Sequence, residues 1–234
     1  RSRTIAHVIG LSDGDAINPI FADFVAGAGD TYAKSGYNML VSFVPDRNHV
    51  EVYRHLAAQR SVDGVMLHSP ADDDPRVDVL QELGLPFLIH GRAGAGRQNC
   101  SWLDIDNTGC LLNATQHLLE LGHRRIAFLN GPEHLSFAAR RREGFFSAHS
   151  AAGVSPDPSL IFHDHMPEAY GHDSAQVLLQ AAEPPTAIVT SSVITACTSG
   201  LTVPVVRCIT STSSSTVGNG TWSLKKNRSS WASG

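Results

Sequence analysis

The chain has 234 residues, 42% of them hydrophobic and 17% charged, with a formal net charge of −4 at pH 7. This is the composition of a globular protein and excludes a fibrous or wholly disordered chain. Without a basic excess there is no general attraction to phosphate backbones or acidic membranes, so nucleic acid would have to be met through a separate module.

The first segment, Thr4 to Gly10, reads as a strand; His7 interrupts its apolar run and Gly10 ends it too early for a signal peptide. No later segment approaches the roughly 20 apolar residues a membrane helix needs. Asn18-Pro19 then has the form of an N-cap followed by proline in the first turn, and Ile20, Phe21, Phe24, Val25, Ala28 and Tyr32 fall at helical spacing up to Gly36. A strand from Asn38 to Val44, a helix from Asn48 to Gln59 and a strand from Val62 to His68 follow. Asp74-Pro75 repeats the cap-and-proline signal, Gly84 closes that helix, and Pro86 to His90 is a fourth strand. Trp102 to Asp106 gives a fifth, and Asn107 opens the helix that runs to Leu121 and Gly122.

The second half continues the alternation: strand Arg125 to Leu129, helix Ser136 to Ala152, strand Leu160 to Phe162, helix Glu168 to Ala182 and strand Ala187 to Thr190. Strand and helix alternating in this way predict an α/β fold of parallel sheets with helices on both faces. About eight strands divide more naturally between two sheets than they fit in one, with the boundary at Asp106 and Asn107. We therefore expect two doubly wound lobes, residues 1–106 and 107–196, with a ligand cleft at the carboxyl ends of their strands. Residues 197–234 are expected to form a Ser/Thr-rich flexible tail, since Thr210 to Thr216 holds only Ser and Thr and no helix pattern follows Thr190. Cys100, Cys110, Cys197 and Cys208 lack CxxC spacing and read as free thiols in a reducing compartment.

The wording of several segments resembles the effector-binding domain of LacI/GalR-type bacterial transcription regulators, which has the type I periplasmic-binding-protein fold. The matching phrases are NPIFADFVAGAGDTYAKSGYNMLV from Asn18, VDGVMLHS from Val62, LGLPFLIHGR from Leu83, WLDIDNTG from Trp102, HLLELGHRRIAFLNGP from His117, RREGF from Arg141 and PPTAIVTSS from Pro184. They stand in the family's order over roughly the first five-sixths of the chain. The resemblance implies a small effector, a sugar or sugar derivative, bound between the lobes. It also implies a homodimer in the cytoplasm, and operator DNA reached only through an N-terminal helix-turn-helix domain that this chain lacks. No cofactor, membrane contact or catalysis is implied. The family's later elements and its aspartate near the pocket find no match from Ala196 onward, so the C-terminus is read as aberrant.

Candidate ligand contacts follow from the same comparison. Arg141 stands where family members point an arginine at the ligand, and its guanidinium is a rigid fork of donors suited to hydroxyls or a carboxylate; the competing assignment, a solvated basic helix face, suits Arg140 or Arg142. Ile20 and Phe21 stand at the family's apolar wall, where an aromatic face can stack on a sugar ring, although Phe21 also fits the helix's core stripe. Ser12, after the first strand, can donate and accept hydrogen bonds or belong to an ordinary turn. Arg92 replaces a common ligand-facing aspartate, which points to an acidic or heavily hydroxylated ligand, and Ser191 replaces an asparagine. His165 falls near a pocket-lining position; the alternative, a metal site in His163-Asp164-His165, lacks a ligand-spaced motif.

Two other classes share this architecture. A periplasmic-type sugar-binding protein of a transport system has the same fold and cleft. A hydrolase would call for a GxSxG elbow, P-loop or GxGxxG fingerprint, and the sequence has none. Asp104 and Asp106 could pair as catalytic carboxylates, but one of them is expected to cap the next helix.

Overall fold

In the computed structural model, the residues described are 2–10, 19–45, 48–94, 100–166, 168–192, 195, 205–207 and 216–217. The first lobe runs β1 (Thr4–Gly10), α1 (Pro19–Lys34), β2 (Asn38–Val44), α2 (His49–Gln59), β3 (Gly64–His68), α3 (Pro75–Glu82), β4 (Phe87–His90) and β5 (Trp102–Asp104). The second runs α4 (Asn107–Glu120), β6 (Ile126–Asn130), α5 (Ser136–Ala151), β7 (Ile161–His163), α6 (Glu168–Leu179), β8 (Ala187–Thr190) and β9 (Val205–Arg207), and β10 (Thr216–Val217) comes last. The sheets have strand orders β10-β5-β4-β3-β1-β2 and β7-β6-β8-β9, parallel throughout except for β10 against β5.

Local chemistry explains the starts and stops. Pro19 and Pro75 each open a helix, and the Asp74 carboxylate accepts from the Arg76 N–H as the N-cap of α3. Strand β5 is shorter than its pattern suggests because Asp106 leaves the sheet to cap α4, accepting from the Gly109 N–H at 2.9 Å. Asn18 lies outside the described residues.

Alternation along the strands sorts the side chains of the first sheet. Ala6, Val8, Val65, Leu67 and Ile89 form one apolar cluster with Tyr53, Leu56, Val77 and Leu80 of α2 and α3. The intervening positions, His7, His68 and His90 among them, turn to the face that carries α1. The second sheet has an apolar cluster on each face: Phe128 and Val189 with Leu111, Leu118 and Phe145, and Leu129 and Ile188 with Leu178. This is the two-sided burial expected of a doubly wound sheet.

Two expectations need correction. Val205 and Val206, β-branched residues in the segment read as tail, extend the second sheet as β9, and Thr216–Val217 joins the first sheet as β10. The rest of residues 197–234 lies outside the described residues. Cys110 is disulfide-bonded rather than free, its spacing having concealed a contact made only by folding. Cys100 is free and buried.

Candidate functional site

At the carboxyl edge of the second sheet the chain concentrates buried polar groups. Asn130 ends β6 and Thr190 ends β8, so Asn130 and Ser191 come side by side, and the Ser191 Oγ donates to the Asn130 Oδ1 at 2.6 Å. The Asn130 amide donates to the Ala138 carbonyl at 3.0 Å, fastening the first turn of α5 to the strand. Beside Asn130, a Cβ on Gly131 would meet the end of the Phe137 ring at 2.8 Å, so any larger residue must push that ring aside.

Arg141 projects from α5 into this edge and is buried. Its Nε donates to the Asn107 Oδ1 at 2.7 Å, one Nη donates to the Ser191 carbonyl, and the guanidinium lies 5.0 Å from the Phe137 ring centroid. Burial lowers its pKa to about 10, against the pull of the Asp104 carboxylate, so it stays a cation near neutral pH. Asn107 in turn donates to the Asp104 Oδ1 at 3.0 Å. The arginine is thereby tied to the last residue of β5 and the first of α4, where the two lobes join.

Further contacts cross between the lobes. The Arg140 guanidinium donates to the Arg92 carbonyl at 2.9 Å and stands 3.7 Å from the Asp104 carboxylate. Burial raises the Asp104 carboxyl, opposed by the hydrogen bond from the Ile105 N–H and by the charge of Arg140. The Ser136 N–H donates to the Pro70 carbonyl at 3.0 Å, and Ala71 and Leu135 form an antiparallel bridge.

On the first sheet, three imidazoles line up beneath α1. His7 Nδ1 is 2.9 Å from His68 Nε2, His68 Nδ1 is 3.1 Å from His90 Nδ1, and His7 Nε2 is 3.2 Å from the Tyr32 hydroxyl. The in-register pairing of His68 with His90 brings their rings together. Phe24 stacks on His90 at 5.0 Å, and Phe21 meets His68 edge-on at 6.1 Å. Burial lowers His7 to about 4 and His68 to about 2, with neighbouring imidazoles pushing the same way. His90 is also lowered, by burial of its ring, although Asp104 opposes the shift and the residue keeps access to solvent.

Of the residues expected to contact ligand, the structure joins Arg141 and Ser191 directly. Phe21 is half-buried at the start of α1, packed on Phe24 and His68. The Arg92 guanidinium carbon lies over Trp102, 4.0 Å from the ring centroid. His165 lines a surface hollow of about 470 Å³ with Phe162, Asp164, Tyr170 and Val177, which adjoins the sheet edge where the Asp164 N–H donates to the Asn130 carbonyl at 3.4 Å. His163 faces Glu133 at 3.7 Å. Ser12 and the Ile20 side chain lie outside the described residues. Arg140 is engaged between the lobes rather than solvated, because the Arg92 carbonyl and Asp104 meet it there; Arg142 is exposed and lies over Phe146. Sequence reasoning missed the histidine line, although the odd-even positions of His68 and His90 at the ends of neighbouring strands carried the signal. It placed Asn130 at the carboxyl end of its strand but did not foresee its hydrogen bonds, and it missed Asn107, which only the meeting of α4, α5 and β6 reveals.

Residues 6–202 match the family profile described as periplasmic binding proteins and sugar binding domain of LacI family. The chain belongs to this family. The match runs past Ala196, where the sequence reading ends it. Within the family, the chain is 34% identical over 196 residues to the HTH-type transcriptional regulator AglR of Rhizobium meliloti (strain 1021), covering 84% of this chain and 55% of that protein. It is also 34% identical to the HTH-type transcriptional regulator CelR of Thermobifida fusca, covering 78% of this chain and 54% of CelR. The chain thus spans about half the length of these curated relatives. Among solved structures, a putative transcriptional regulator from Yersinia pestis biovar Microtus str. 91001 superposes with a TM-score of 0.76 at 28% identity, over 85% of this chain and 70% of that one. A CelR–cellobiose complex gives 0.74 at 32% identity, over 83% and 60%.

Proposed function

We propose that this chain is the ligand-sensing part of a LacI-type transcription regulator and that it binds a small sugar or sugar derivative between its two sheets. The observation that carries the reading is Arg141: a cationic fork of donors, buried at the carboxyl edge of one sheet and tied through Asn107 to the end of the other. A group bound against that edge is sensitive to the relative position of the lobes. The names of AglR and CelR support a regulator over a transport protein, and the cellobiose in the CelR complex supports a sugar.

In this reading residues 1–106 form the first lobe and residues 107–196 the second, whose sheet Val205–Arg207 extends, while Thr216–Val217 pairs with the first. Ser12, Ile20, Phe21 and Arg92 face the ligand from the first lobe, and Arg141, His165 and Ser191 from the second. Ser191 contributes chiefly by holding Arg141 and Asn130. The effector biases the lobes between two arrangements because it binds them unequally, and a DNA-binding domain outside this chain converts that bias into operator affinity. The protein acts in the cytoplasm as a homodimer, as membership of the family implies. It catalyses no reaction. Among the described residues no helix is long and apolar enough to cross a membrane.

The test is a thermal melt of the chain with cellobiose, other disaccharides, monosaccharides, sugar phosphates and amino acids, since a ligand that binds only the folded state raises the midpoint. A saturable rise with one class of sugar is expected. A shift with amino acids alone, or with none of the panel, contradicts the sugar-sensing reading.

A further inference from the structure

The line of groups beneath α1 is unbroken: Tyr32 Oη, His7, His68 and His90 are joined in series by hydrogen bonds of 3.2, 2.9 and 3.1 Å. His7 and His68 are buried, whereas His90 at the carboxyl end of β4 is open to solvent. A neutral imidazole has one N–H and one bare nitrogen, so such a series must run all in one direction or all in the other. In the first direction Tyr32 donates to His7 Nε2, His7 Nδ1–H to His68 Nε2, and His68 Nδ1–H to His90 Nδ1, leaving His90 with an outward Nε2–H. In the second every shared proton sits on the opposite partner, and a neutral His90 shows a bare Nε2. The first direction uses the Tyr32 hydroxyl proton inside the line and is the resting direction in the proposal that follows.

We propose that Tyr32, His7, His68 and His90 act as one hydrogen-bond relay whose direction is set at His90, so that a donor bound there, or a proton, is read at Tyr32 within α1. A hydroxyl or N–H that donates to His90 Nε2 requires that nitrogen bare and reverses the line; an acceptor leaves it as it rests. Protonation of His90 also reverses the line, because an imidazolium donates from both nitrogens. The proton count balances: Tyr32 passes its proton to His7 Nε2, His7 its Nδ1 proton to His68 Nε2, and His68 its Nδ1 proton to His90 Nδ1. His90 keeps its Nε2–H, and Tyr32 regains a proton from solvent.

The surroundings suit a line that carries one charge at most. Phe21 and Phe24 cover it from α1, Arg76 of α3 donates to the His68 carbonyl and opposes a charge on that ring, and Asp104 of β5 favours charge on His90. Arg76 is itself paired with the Asp74 carboxylate at 2.6 Å. His90 therefore takes the proton first, while His68 and His7 stay neutral and change tautomer. That the bound donor is an effector hydroxyl rests on the function proposed above; the relay itself does not.

Long-range proton–nitrogen NMR of the ¹⁵N-labelled chain, titrated from pH 8 toward pH 5 without any sugar, tests the relay. The expected result is that His7 and His68 pass from the Nδ1–H to the Nε2–H tautomer with the midpoint at which His90 becomes charged. In His90→Gln, which alters only the exposed end, that transition disappears. Tautomers of His7 and His68 that hold through the His90 midpoint overturn the proposal, as does the same transition persisting in His90→Gln. Because no sugar is present, a failed relay and a failed sugar panel are separate results.

Discussion

Arg141 shows how much one side chain holds at the junction. Replacing it with alanine leaves the Asn107 Oδ1 and the Ser191 carbonyl buried without their charged donor, at a cost of about 3 kcal/mol. Urea denaturation at pH 7 should show that loss with the slope unchanged. Lysine should not restore it, because one ammonium lacks the planar fork that serves two acceptors on different elements. Gly131→Ala should cost about 2 kcal/mol in the same assay, since the new methyl must displace the Phe137 ring that Arg141 overlies. Little of this was legible beforehand. The sequence marks Arg141 only through its resemblance to a family, and its hydrogen-bond partners lie 34 and 50 residues away along the chain. No local pattern predicts such pairings.

Elements were legible where local chemistry decides them. The bounds of β1, β2 and β8 fall where apolar runs meet turn residues, and α3 begins at its proline behind a capping aspartate. The strand β9 was not legible, because Pro204 breaks the apolar run from Leu201 to Ile209 and the pairing with β8 is a tertiary event. Helix packing depends on single residues as well. At Gly144 a Cβ would overlap the Thr108 carbonyl, so this glycine sets how closely α5 approaches α4. Gly144→Ala should therefore force the helices apart and cost about 3 kcal/mol, read as a lowered melting temperature. Gly153→Ala makes a useful contrast: the added methyl meets no atom, and the loss should be smaller, arising only from its positive φ of 65°.

For the whole molecule, the buried imidazoles set the response to acid. His7 and His68 have folded-state values of about 4 and about 2, below the ordinary value of 6.5. The unfolded chain therefore gains protons first as the pH falls. Stability contributed by these groups is present above about pH 6.5 and is lost below it, until each folded-state value is reached, at up to about 1.4 kcal/mol per pH unit for each group. Denaturation midpoints measured at pH 7, 6, 5 and 4 should fall along this course, and His68→Gln should make the fall shallower. A stability that is flat from pH 7 to 4 would show that these rings are not buried as neutral groups. The two-sheet plan was legible from the alternation of strand and helix, whereas the meeting of the lobes through Arg140, Asp104, Pro70 and Ser136 was not, because those contacts exist only once both sheets are formed.

One ligand held by both sheets at once should lose affinity when either sheet's contact is cut, and calorimetric titration of the sugar that most raises the melting temperature measures this. Wild type, Phe21→Ala and His165→Ala would be compared, one change in each lobe and neither within the hydrogen-bond network around Arg141. A loss of tenfold or more in affinity is expected in both variants, about 1.4 kcal/mol each. Unchanged affinity in either variant would contradict a site shared between the lobes.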